Sequence, residues 1–223
     1  MPFVLPSLLD DGSLEALRRD LRAPDAPWRD GAETAGWHAR VVKRNRQLDP
    51  SSSLHRSLAA SLEGRLLDQP LLQAAALPRR LHGLRFSRME QGEGYGRHVD
   101  NAYMPGGRSD LSFTVFLSDP ESYGGGALVL ESPAGEERWR LKAGEVLLYP
   151  STLLHRVEPV EQGERLVAVG WIESRVRSAE QRELLFELDT ARRSLFAREG
   201  KGEEFDLLCR CHANLLRMWG EMG

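Results

Sequence analysis

The sequence predicts a mainly β chain with flanking helices (α+β), built on a double-sheet jelly roll. Three observations carry this: leucines at helical spacing before residue 77, a series of short apolar runs from about Leu84 to Leu166, and a return of helical period after Ser178. At 223 residues the chain has room for one main core with appendages, and can bury on the order of 70% of its unfolded surface without a disulfide or structural metal. The expected division is a helical support over 1–77, a β core over 78–177, and C-terminal helices packing on it over 178–223.

The first helix is read from Leu14, Leu17 and Leu21, behind Asp11 and Ser13 as candidate N-caps and ahead of Pro24. A second follows the stripe Leu54, Leu58, Leu62, Leu66, opening after Ser51–Ser53 and closing before Pro70. The runs LRFSRM, LSFTVFLS, ALVLE, ERWRL and EVLLY are strands, because Gly/Pro/Ser/Asp clusters such as Gly124-Gly125-Gly126 separate them. Leu166–Ile172 is nearly all apolar, so that strand belongs in the interior. Ser178 and Gln181 form a capping box for a helix along Leu185, Leu188 and Leu195 that stops at Gly200. A last helix carries Leu208, Leu215 and Trp219.

Charge and cysteine content narrow the function. Thirty Lys+Arg against 33 Asp+Glu give a net charge of -3, which disfavours general nucleic-acid binding. No apolar run approaches the ~18 residues that span a bilayer, and the N-terminus has no basic leader region. Cys209 and Cys211 make no disulfide framework, so a reducing, cytoplasmic setting is expected.

The chemistry centres on His98-Val99-Asp100, the only H-x-D in the chain, whose side chains share one face if the segment is a strand. Downstream, His155 ends a strand-like run and Arg165 opens the apolar strand ten residues later. Two imidazoles and a carboxylate hold Fe(II) while leaving positions open, whereas a closed structural site would want four protein ligands. A guanidinium fork on a buried strand suits the far carboxylate of a keto-diacid whose near end chelates the metal, which points to 2-oxoglutarate.

With these residues in place, FSRMEQGEGYGRHVDN, RSDLSFTVFLSDPESYGGGALVL, LKAGEVLLYPSTLLHRVEPVEQGERLVAVGWIES and RELLFELD resemble the PKHD-type hydroxylases, prolyl/lysyl-hydroxylase-like Fe(II)/2-oxoglutarate dioxygenases. The resemblance spans nearly the whole chain and is densest from Phe86 to Asp189. It implies a double-stranded β-helix core, iron ligands His98, Asp100 and His155, a 2-oxoglutarate anchor at Arg165, and L-ascorbate as the sustaining reductant. The implied activity is hydroxylation with release of succinate and CO2, on an unidentified substrate: a side chain of a protein, a free amino acid or a small metabolite. Ser87, Met89 and Ala127 depart from residues usual in the family, which bears on substrate contacts.

Two other functions share parts of this pattern. A nucleic-acid dealkylating dioxygenase uses the same triad, but such relatives usually carry a second Arg six residues after the anchor, where this chain has Trp171. A cupin-like metal binder would need no 2-oxoglutarate, and hence no Arg165. Tyr95 and Tyr103 bracket the H-x-D; an aromatic near a strand end is more often core, but lining the substrate channel stays open for both. The basic stretch His38–Arg46 reads as a solvated face, with substrate contact as its alternative. His38, His55, His82 and His212 have no ligand-spaced partner, and Cys209 and Cys211 are read as helix packing. The oligomeric state is left open.

Overall fold

The computed structural model describes residues 2–34 and 40–221. His38 and the start of the basic stretch lie outside the described residues.

Two sheets face each other. The larger has seven strands in the order Phe3–Leu5, Val146–Pro150, Leu111–Phe116, Arg165–Ser174, Pro78–Met89, Arg46–Leu48 and Trp28–Asp30. The smaller runs Gly135–Trp139, Leu128–Ser132, His155–Val157, Gly94–His98 and Lys43–Arg44. All pairings within both sheets are antiparallel. The apolar strand expected in the interior is central in the larger sheet, paired on both sides.

Strand alternation sorts these residues between two environments. Leu166, Ala168 and Ile172 join Leu84, Phe86, Leu111, Val115, Val146 and Leu148 in a core facing outward. That core is closed by helices α1 (Asp11–Leu21), α2 (Ser53–Leu67) and α3 (Pro70–Ala76), through Leu14, Leu17, Leu21, Leu62, Leu66 and Leu72. The opposite parity, Arg165, Val167, Val169 and Trp171, turns toward the smaller sheet and lines a cavity between the two. A second apolar cluster of Phe116, Leu128, Leu130, Leu147, Tyr149 and Val167 seals the space between the sheets.

The helices follow their expected signals with local differences. The N-cap of α1 is Asp10, whose carboxylate accepts from Ser13 N at 2.8 Å; Asp11 is already helical. Ser52 caps α2. Pro70, read as a stop, is also a start: it occupies the first turn of α3, where a missing N–H costs nothing. Helix α4 (Ala179–Glu199) begins at Ser178, which accepts from Gln181 N, and ends at Gly200 with φ +73°; α5 (Glu203–Trp219) follows.

Residues 1–77 hold more than helices. Trp28–Asp30 and Arg46–Leu48 extend the larger sheet, and Lys43–Arg44 forms an edge of the smaller. These strands are two or three residues long and polar, so they carry no readable period.

Phe86 is fully buried in the outward core, whereas Leu207 is 57% exposed on α5. Phe86→Ala is expected to lower unfolding free energy by ~3–5 kcal/mol, and Leu207→Ala to change it by no more than about 0.5 kcal/mol. Urea denaturation of both variants checks this.

Candidate metal and keto-acid site

His98 and His155 come together because their strands pair. The two residues are direct cross-strand partners in the smaller sheet, and their ring centroids are 4.2 Å apart. Each ring is oriented by its own backbone: His98 Nδ1 donates to Gly96 O at 2.8 Å, and His155 Nδ1 to Leu153 O at 3.0 Å. A nitrogen facing a carbonyl must carry the proton, so both Nε2 lone pairs are left for the cavity. Burial first, and His155 second, push the His98 imidazole well below its usual range, which keeps it neutral.

Asp100 differs from the strand expectation. The strand ends at His98, and Asp100 lies in the segment that follows. Leaving the pleat brings its carboxylate back toward the rings, with Oδ1 4.0 Å from His98 Nε2 and Oδ2 3.9 Å from His155 Nε2. Ser112 Oγ donates to Asp100 Oδ2 at 2.6 Å and has only that proton to give, so Ser151 Oγ, 2.8 Å away, donates to Ser112. The three candidate donor atoms lie within 4.8 Å of one another. Two imidazoles and one carboxylate in a buried pocket fit a divalent ion of the Fe(II) kind, with positions left open.

Arg165 lies in the same cavity and is 2% exposed. Burial pushes its guanidinium below the ordinary value. No carboxylate pairs with it among the described residues; it stacks over Phe116 at 5.7 Å, and its Nε has no hydrogen-bond partner. Burying an unpaired cation costs several kcal/mol (order of magnitude), so a site of this kind is completed by an anion from outside the chain. Gly126 makes room beside it: at φ +62° it takes a backbone conformation that other residues resist, and a Cβ there would meet Arg165 Cδ at 3.1 Å.

Counting the open solvent at its mouth, the cavity spans about 950 Å³. Tyr95 lines it and stacks on His98 with centroids 3.6 Å apart, and burial, aided by Asp100, pushes its hydroxyl up to about 12. Of the two fates left open for it, Tyr95 takes the one in the cavity wall. Tyr103, by contrast, is 66% exposed and belongs to neither environment. Most of the basic stretch is solvated as expected, Arg40, Arg44 and Arg46 being exposed, but Lys43 is buried in the cavity wall. Trp171 lines the cavity.

Ser112, Ser151 and Arg85 are site residues that sequence reasoning missed. Arg85 had a signal: it shares strand parity with Ser87 and Met89, all three lining the cavity. His55 and His82 are structural, each bonded through Nε2 to a backbone carbonyl at 3.0 Å, of Leu84 and Arg108 respectively. Cys209 and Cys211 are free thiols on α5, and Cys209 Sγ accepts from Arg192.

A family model for the 2OG-Fe(II) oxygenase superfamily matches residues 84–173, and one for the PKHD-type hydroxylase C-terminal domain matches residues 180–221. A PKHD-type hydroxylase of Synechococcus elongatus is 54% identical over 225 residues, covering 99% of this chain and 100% of its own. One from Prochlorococcus marinus is 45% identical over 221 residues, with the same coverage. Among solved structures, a Pseudomonas putida prolyl-4-hydroxylase superposes with a TM-score of 0.57 at 21% identity, over 78% of this chain and 92% of that one. HygX from Streptomyces hygroscopicus, solved with nickel, 2-oxoglutarate and hygromycin B, gives 0.54 at 18%, over 76% and 81%. Likeness at such identity speaks to the fold, the jelly roll of these oxygenases.

Ser112→Ala removes the proton that holds Asp100 Oδ2. It is expected to weaken Fe(II) binding by about 10- to 100-fold with the thermal midpoint little changed, as read by anaerobic titration and a melting curve.

Proposed function

This chain belongs to the PKHD-type hydroxylases, within the 2OG-Fe(II) oxygenases, and on that premise we propose that His98, Asp100 and His155 hold Fe(II) and Arg165 anchors 2-oxoglutarate. The observation that carries this is the buried Arg165 guanidinium without a carboxylate, in one cavity with the triad. The ferrous centre, with 2-oxoglutarate and dioxygen, supplies oxidative decarboxylation to succinate and CO2 coupled to hydroxylation of a substrate C–H bond.

The chain's own residues supply placement. The two imidazoles present Nε2 because Gly96 O and Leu153 O hold Nδ1, and Ser112 holds the carboxylate between them. Arg165 binds the far carboxylate of the keto-acid in a site that excludes water, walled by Phe116, Val167 and Tyr149. The cavity opens to solvent, and the substrate enters there.

Arg165 also separates this reading from a cupin-like binder, which needs no buried cation at that depth. Trp171 and the net charge of -3 separate it from nucleic-acid dealkylation. L-Ascorbate as the reductant that sustains the ferrous state rests on the family resemblance. A reducing compartment such as the cytoplasm is supported by the two free thiols, and no helix among the described residues is long and apolar enough to cross a membrane.

Asp100→Ala is expected to abolish Fe(II)-dependent succinate release and the visible absorption band that Fe(II) and 2-oxoglutarate form together, while unfolding stays cooperative. Undiminished succinate release would remove Asp100 from its role. Arg165→Lys keeps the charge but not the fork, so it should raise the 2-oxoglutarate concentration needed for half-maximal turnover about tenfold or more, with Fe(II) affinity nearly unchanged.

A further inference from the structure

Arg165 is not the only unsatisfied donor at its end of the molecule. Tyr123 is 3% exposed, and its hydroxyl, like Arg165 Nε, is buried without a hydrogen-bond partner. The two side chains adjoin. A Cβ built on Gly126 would stand 3.1 Å from Arg165 Cδ and 3.1 Å from Tyr123 Cε2, so both atoms press on one point. Arg165 Nε is one bond beyond that Cδ and the Tyr123 hydroxyl two bonds beyond that Cε2, which makes the two unsatisfied groups near neighbours.

The chain holds the phenol ring in this place. Tyr123 opens a short strand, Tyr123–Gly125, which pairs antiparallel with Val160–Gly163, Tyr123 opposite Gly163. The partner strand runs directly into Arg165, two residues after Gly163, so this pairing sets the ring beside the root of the guanidinium. Arg140 lies over the ring at 4.6 Å and donates to Tyr123 O, which fixes the residue from a second side.

The chemistry of the neighbours decides what the hydroxyl needs. Arg165 and Arg140 carry only donors, and Val160, whose Cγ2 meets the same point beside Gly126, is apolar. The phenol oxygen can accept from a guanidinium, but the phenol proton finds no acceptor among these groups. A buried hydroxyl in that condition is unfavourable and calls for an acceptor from outside the chain. A carboxylate brought to Arg165 has lone pairs for the guanidinium and for a second donor. Met89, the cross-strand partner of Arg165, and Phe116, beneath its guanidinium, carry no hydroxyl, whereas Tyr123 does.

We propose that Tyr123 is a second residue of the keto-acid anchor, its hydroxyl donating to the far carboxylate that Arg165 binds. This rests on the oxygenase reading and deepens it. One anion then satisfies a buried cation and a buried hydroxyl together, and the pair selects for a keto-acid with a carboxylate at its far end. A keto-acid ending in a methyl group leaves both unsatisfied.

The test titrates the Fe(II)-loaded protein anaerobically with 2-oxoglutarate and with 2-oxovalerate, which has the same chelating head and a methyl group in place of the far carboxylate. The visible band and the heat of binding are the readouts. Tyr123→Phe removes only the oxygen. It is expected to raise the dissociation constant of 2-oxoglutarate about tenfold or more and to leave that of 2-oxovalerate within about twofold. The melting midpoint without keto-acid should not fall, because no hydrogen bond is lost there. Tyr123→Met, which also lacks the hydroxyl, should show the same selective loss, and the band with 2-oxovalerate reports that each variant is folded and loaded. Unchanged 2-oxoglutarate affinity in Tyr123→Phe, or an equal loss for both keto-acids, would overturn the proposal. A parent protein that binds 2-oxovalerate as tightly as 2-oxoglutarate would overturn it together with the Arg165 anchor, and a parent in which the band never forms would remove the oxygenase reading beneath both.

Discussion

The pairing of His98 with His155 across the smaller sheet is the constraint on which the site depends. These residues are 57 positions apart in sequence, and strand register alone sets one ring beside the other. The same register exposes the Nε2 faces to the cavity, because each Nδ1 is taken by a carbonyl two residues earlier on its own segment. Asp100 completes the set by leaving the strand, and the Ser151–Ser112 relay on the opposing sheet keeps it there. The geometry of the candidate metal site is thus set by two facing sheets, which hold the two imidazoles and fix the carboxylate that follows the strand.

The larger sheet supplies the complementary half. Its central strand uses one parity for the outward core, Leu166, Ala168 and Ile172, and the other for the cavity, Arg165, Val167, Val169 and Trp171. The apolar parity stabilises the sheet and so offsets the cost of burying Arg165 on the other face. A guanidinium could not be held at that depth without such a platform. The outcome is a cavity floored by one parity of the central strand, with Arg165 and the triad both lining it.

Much of this was legible in the sequence. The leucine spacings marked α1, α2 and α4, the nearly continuous run at Leu166–Ile172 marked the central strand, and the H-x-D, His155 and Arg165 pattern marked the residues that share the cavity. What escaped has physical reasons. Trp28–Asp30, Lys43–Arg44 and Arg46–Leu48 are too short and polar to show a period, so a stretch read as solvated surface delivers Lys43 to the interior. Pro70 stops one helix and starts the next, and sequence reading took only the first meaning. Arg85 falls in a strand recognised by its apolar neighbours, and its inward direction depends on a parity that only pairing with Arg165–Ser174 fixes.

The most direct measurement is anomalous diffraction from crystals of the protein grown anaerobically with Fe(II) and 2-oxoglutarate. The account predicts one iron peak bonded to His98 Nε2, Asp100 and His155 Nε2, with the keto-acid chelating it and its far carboxylate on the Arg165 guanidinium. Iron bound elsewhere, or 2-oxoglutarate lying with its far carboxylate away from Arg165, would contradict it.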